Sequence, residues 1–241
     1  MPPLVSPAAV EAARADWEAW RTARLASVAS PAGPLALVET HWLQPDESAS
    51  LEDALSGRPD TVRATWIERS HIGTGETERG IRLWDAASPA INHFVTIDTY
   101  PFAPEWVAEA TFTPVSESRL LPFEHMRDDG GTRDHVVPGD ITFTLDGTAY
   151  NLAAFEDEGT LLLVVGDRTN GSATYGGGRF LHVHHEPGAD RVVLDFNRAF
   201  VPPCGFSSHF NCPLPPPGNR FGVPIEAGEK LPVFLDGYLP H

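Results

Sequence analysis

The chemistry-bearing residues of the chain crowd into residues 192–230, VVLDFNRAFVPPCGFSSHFNCPLPPPGNRFGVPIEAGEK. This run holds both cysteines (Cys204 and Cys212), the one lysine (Lys230), the polar trio Asp195, Asn197 and Arg198, and three prolines at 215–217. Proline has no N–H donor and a fixed φ, so the run is neither a helix nor a continuous strand. Irregular but ordered segments that carry charged and thiol groups are common seats of binding and catalysis.

Cys204, His209 and Cys212 would offer zinc three ligands and an open fourth position, but the spacing matches no C-x-x-C pair. A Cys204 nucleophile beside His209, a disulfide, and two thiols buried under a proline-rich loop are the other readings. His182 and His184 project to one side of a strand as in a metal-binding cupin barrel. The acidic residue that should follow them is missing, so a solvated strand end is expected and no metal ligand is assigned.

In a strand of period two, Val193, Asp195 and Asn197 share one face, and Val192, Leu194 and Phe196 share the other. Two readings of the polar face stand. It is a solvated surface on which Arg198 pairs Asp195, or a barrel mouth in which Asp195 turns Arg198 toward an anionic or carbonyl ligand. Upstream, Arg168 and Gly176-Gly177-Gly178-Arg179 form a glycine-rich turn between basic residues. Backbone N–H groups in such turns can bind phosphate. Neither G-x-G-x-x-G nor G-x-x-x-x-G-K-[ST] is present and no helix follows, so a plain hairpin connection is expected.

The elements that must hold these residues are mostly strands. Residues 6–29 form an amphipathic helix, with Ser6 as N-cap, Pro7 at its first position, and Val10, Ala13, Trp17, Trp20, Leu25 and Val28 along one side. Strands are expected over Leu35–Leu43, Val62–Glu68, Ile91–Thr99 and Trp106–Pro114, with loops at 44–60, 70–80 and 126–135. From 141 to 197 the spacing predicts five successive strands: Ile141–Leu145, Thr148–Phe155, Leu161–Val165, Phe180–His185 and Arg191–Asn197. Asp146-Gly147 marks a tight hairpin that needs positive φ. Short connections between such strands point to an antiparallel barrel or barrel-like sandwich. The expected division is an N-terminal helix and linker over 1–33 and a single β-rich domain over 34–241 with the proline-rich segment near its end.

A net charge of −16, from 33 acidic and 17 basic side chains, speaks against nucleic-acid and anionic-membrane surfaces, since both polyanions would be repelled. No secretion-signal pattern and no run of 18 apolar residues is seen, so a soluble cytoplasmic protein without a membrane partner is expected.

Several stretches resemble a family of bacterial and archaeal proteins, domain of unknown function 1684. They are Gly80-Ile81-Arg82 to Asp85, Ser88-Pro89, Tyr100-Pro101, Asp167-Arg168-Thr169, Thr174-Tyr175-Gly176, Gly178-Arg179-Phe180-Leu181 and Leu194 to Ala199. Cys204, Cys212-Pro213-Leu214-Pro215-Pro216-Pro217, Asn219-Arg220 and Val223 to Lys230 continue the likeness. Gly218 stands where the family pattern has Glu, and Phe200-Val201 replaces a more polar pair. The resemblance implies no activity. It marks Arg179, Asp195, Asn197, Arg198, Cys204, Cys212, Asn219 and Arg220 as signature positions.

The expectation is therefore a mainly β protein that binds or converts a small polar or anionic molecule where a strand end meets the proline-rich loop. Arg179, Arg198 and Arg220 supply anion contacts, Asn197 and Asn219 complete the binding set, Asp195 orients, and Cys204 is the candidate nucleophile. The rival is a non-catalytic domain in which Asp195, Arg198, Asn219 and Arg220 form a buried polar clasp. A metal- or cofactor-binding barrel, for example for a flavin, is a further alternative; no motif names a cofactor.

Overall fold

The computed structural model describes residues 7–72, 74–157 and 159–240, with residues 116–118 described by their backbone alone. The protein is mainly β. Its strands are β1 (Leu37–Trp42), β2 (Val62–Ser70), β3 (Thr77–Asp85), β4 (Phe94–Thr99), β5 (Val107–Glu124), β6 (Thr132–Leu145), β7 (Thr148–Asp157), β8 (Thr160–Val165), β9 (Arg179–Val183), β10 (Arg191–Asp195) and β11 (Glu229–Phe234). Helices are α1 (Pro7–Val28) and the short α2 (Leu51–Leu55) and α3 (Pro89–His93). The proposed cap Ser6 lies outside the described residues. No described helix is long and apolar enough to cross a membrane.

The chain divides into two compact units. The first comprises residues up to Trp20, Ile97–Pro202 and Cys212–Leu231; the second comprises Arg21–Thr96, Pro203–Asn211 and residues from Pro232 on.

In the first unit an antiparallel sheet has the order β10-β5-β6-β7-β8-β9 and curls into a half-barrel. β5 to β9 are a meander, and β10 returns to pair with β5 rather than with β9. The β6–β7 hairpin turns at Asp146 and Gly147, both at positive φ (49° and 77°), as the sequence required. The concave face is packed with Phe112, Ile141, Leu152, Leu163, Leu181 and Leu194, and Phe221 and Ile225 of the C-terminal segment close it. Trp17 of α1 is buried against Phe102 at 5.7 Å and donates its indole N–H to the Asn197 carbonyl at 2.9 Å. Trp17 belongs to the apolar side of the helix expected from sequence.

The second unit is built on a three-stranded sheet of order β1-β3-β2. Residues 203–211 pack within it, with Ser207 donating to the Leu37 carbonyl at 2.7 Å and Phe210 edge-on to Trp84 at 6.2 Å. Its central strand β3 begins inside residues expected to be a loop. The polar composition there is absorbed by cross-strand ion pairs, Arg69–Glu78 at 2.6 Å and Arg79–Glu68 at 3.2 Å, so it gave no apolar alternation to read.

Candidate functional site

Leu161–Val165, the apolar run of β8, ends at Gly166, and the next residue turns its carboxylate inward. Asp167 and Arg179 form an ion pair at 2.8 Å with both side chains 0% exposed. The Asp167 Oδ1 atom accepts from the Thr169 amide (2.8 Å), the Thr169 hydroxyl (2.6 Å) and the Ile225 amide (3.2 Å). Arg179 also donates to the carbonyls of Ile225 (2.8 Å), Glu229 (3.3 Å) and Ala227. A buried pair is tolerated only when its remaining donors and acceptors are bonded. Here all but the Arg179 Nε are. The pair therefore ties the β8–β9 connection to residues 225–229.

Asn219 makes a second tie. The β7–β8 ladder runs from Asp157↔Thr160 to Ala154↔Leu163. At the next position the Asn219 carboxamide stands in for the missing partner. It accepts from the Ala153 amide (2.9 Å) and donates to the carbonyls of Ala153 (2.8 Å) and Val164 (3.0 Å). Gly178 seats Pro215 beside these groups: its φ is +89°, and a Cβ there would stand 2.6 Å from the Pro215 ring and 2.7 Å from the Val165 carbonyl.

On the outer side of these ties lies a cavity of about 570 Å³. Arg168, Asn170, Gly176–Gly178, Pro215, Arg220 and Gly222 are among its walls. Among the described residues each arginine side chain is held by its Nε alone, Arg168 on the Gly222 carbonyl at 3.3 Å and Arg220 on the Pro215 carbonyl at 2.9 Å. Neither has a carboxylate partner among the described residues, so the Nη atoms of both remain uncommitted. Asp167 is the acidic residue of the wall, and Arg179 already neutralises it. A protein of net charge −16 thus presents two unneutralised guanidinium groups to one concavity. Guanidinium groups so placed are donors of the kind that oxyanions accept from. The groups able to hold a charged cofactor are these same arginines and the glycine amides. Among the described residues no three His, Cys, Asp or Glu side chains cluster as a metal set.

The residues singled out from sequence separate into distinct places. Arg220 lines the cavity. Arg179 and Asn219 lie behind it as ties with no exposed surface, so the anion contact expected of Arg179 is taken by Asp167 and backbone carbonyls. Asp195, Asn197 and Arg198 lie elsewhere in the first unit. β10 stops at Asp195, whose carboxylate accepts from the Asn197 amide at 3.1 Å and caps a 3₁₀ turn. Asn197 is consequently 1% exposed rather than on an outer face, and its side chain pairs with the Ala103 amide (2.9 Å) and carbonyl (3.0 Å). Arg198 bonds Asp16 of α1 and Asp195 (3.3 Å), and lies over Trp20 at 6.0 Å. This trio anchors α1 and Ala103. Cys204 is 1% exposed and belongs to the second unit; Cys212 is 6% exposed and belongs to the first, and neither is in a disulfide.

Sequence reading passed over Arg168 as part of a plain hairpin connection. The connection between antiparallel β8 and β9 is indeed there, but it also forms a cavity wall. The signal available was the pairing of Arg168 and Arg220 with clustered glycines. Also missed was a pair of histidines, His125 buried and His135 partly so. His125 and His135 stack at 5.3 Å with their Nε2 atoms 3.4 Å apart. Burial, then the neighbouring His125, hold the His135 ring neutral with its pKa lowered to about 4; burial lowers that of His125 as well.

Residues 92–230, more than half of the chain, match the family described as protein of unknown function (DUF1684). A half-barrel sheet closed by a proline-rich strap is thus the form taken here by a chain that belongs to this family. The chain is also similar to an uncharacterized protein of Haloarcula marismortui solved by solution NMR, with 30% identity over 57% of this chain and 77% of that one and a TM-score of 0.47. No curated protein matches it.

Proposed function

We propose that the protein binds a small organic anion in the cavity between the β8–β9 connection and residues 214–222. The observation that carries this reading is the pair Arg168 and Arg220, each fixed through Nε to a backbone carbonyl and lacking a carboxylate partner among the described residues. Guanidinium groups so placed are pre-organised donors for an oxyanion, and their charge persists across the physiological pH range. The buried ties beneath, Asp167–Arg179 and Asn219, act as scaffold for this wall. Isothermal titration with a panel of phosphates and carboxylates tests the reading. Arg168→Ala and Arg220→Ala should each weaken binding by about tenfold to a hundredfold, the loss of one charged hydrogen-bonding group. Affinities unchanged in both variants would dismiss it.

A second reading, a non-catalytic domain with a structural signature, is favoured by the engagement of Asp195, Asn197, Asn219 and Arg179 in internal bonds. It predicts no specific titration with any anion.

A further inference from the structure

Resting on the small-anion reading of the cavity, we infer that its ligand is an organic phosphate monoester. Its phosphoryl group lies between Arg168 and Arg220, and its organic part lies against Gly222. The donors outnumber what a carboxylate can use. A carboxylate offers two coplanar oxygens with about four acceptor sites in one plane. Here both arginines keep their Nη atoms uncommitted, and the amides of Gly176 and Gly177, in the same wall, have no acceptor among the described residues. A tetrahedral phosphoryl group has three oxygens that take donors from several directions, and its dianionic form matches two fixed positive charges. Backbone amides of glycine-rich turns suit the same group.

The space exceeds what an inorganic anion fills. About 570 Å³ falls in the range of pockets that enclose drug-sized ligands, about 300–1,000 Å³. Leu214, Pro215 and Phe221 give that space an apolar side. Glycine at 222 is required by neither packing nor backbone. A Cβ there would meet nothing within 4 Å, and its φ is outside the left-handed region. Gly177 is different, because a Cβ there would collide with Met126 and stand 2.8 Å from the Tyr175 ring. The bare surface at Gly222, whose carbonyl also fixes Arg168, therefore leaves room in the cavity itself.

The test is isothermal titration of the full chain with inorganic phosphate, phenyl phosphate, glycerol 3-phosphate, glucose 6-phosphate and succinate, with ³¹P line broadening to reach weak binding. At least one monoester should bind tenfold or more tightly than both inorganic phosphate and succinate. Gly222→Leu should remove that preference, weakening the best monoester tenfold or more. Thermal unfolding certifies the fold of this variant, and Gly222→Ala is the milder substitute. Succinate binding as tightly as the best monoester would overturn the phosphate assignment while leaving the small-anion reading standing. Monoesters no tighter than inorganic phosphate, or a preference that survives Gly222→Leu, would overturn the placement of the organic part. No binding by any probe would overturn both readings together.

Discussion

Replacing Asn219 by alanine strips three backbone groups of their partners: the Ala153 amide, the Ala153 carbonyl and the Val164 carbonyl. Val164 is 0% exposed, so water cannot replace the lost bond there, while Ala153 is half-buried and is compensated in part. A buried polar group left unsatisfied costs about 1–3 kcal/mol. One full and two reduced penalties give a destabilisation of about 3–5 kcal/mol. For a chain of this size that corresponds to a fall in Tm of about 6–20 °C. Asn219→Asp should be at least as harmful, because it keeps an acceptor for the Ala153 amide but turns a carboxylate oxygen on two carbonyls. Urea unfolding followed by circular dichroism measures both variants. A loss under about 0.5 kcal/mol for Asn219→Ala would refute the view that this side chain completes the β7–β8 ladder.

Arg179→Met should cost about 3–5 kcal/mol, because it leaves the Asp167 carboxylate buried without its partner; chemical denaturation reads it directly. The His125–His135 stack should make the protein acid-labile. With the His135 pKa held near 4 in the folded state, against about 6.5 unfolded, its contribution is intact above pH 6.5 and lost as pH falls from there toward 4. After discounting for partial solvent contact the loss is about 1–2 kcal/mol. His135→Phe should flatten that part of the stability profile, and a variant as acid-labile as the parent would contradict the assignment. Cys204 and Cys212, both buried, should alkylate slowly at neutral pH in the folded protein and quickly in urea. Fast reaction of folded protein at Cys204 would return it to the list of nucleophiles.

Strand positions were legible where local pattern and tertiary demand agreed. The apolar run Leu161–Val165 and the Asp146-Gly147 turn fix β8 and the β6–β7 hairpin without help from the rest of the chain. β3 was not legible, since its first residues are charged and polar and are neutralised only by cross-strand pairs with β2 that the linear pattern does not display. Asn197 was misread because period-two alternation was carried past Asp195, whose side chain ends the strand by capping a turn. The difference between Arg179 and Arg220 had the same origin. Both are arginines beside glycine or asparagine, and only the folded chain shows Asp167 and three carbonyls around one and an open concavity around the other. The DRT and TYG stretches held a real signal: Asp167, Thr169 and Thr174 are the groups that shape the loop carrying Arg168.

The function proposed for the cavity between Arg168 and Arg220 is to hold an oxyanion. Its most direct test is a crystal structure of the full chain soaked in millimolar tungstate, an oxyanion visible by anomalous scattering. A peak within hydrogen-bonding reach of both guanidinium groups, lost in Arg168→Ala crystals, is expected. A cavity without a peak, while tungstate occupies other surface arginines of the same crystal, would contradict it.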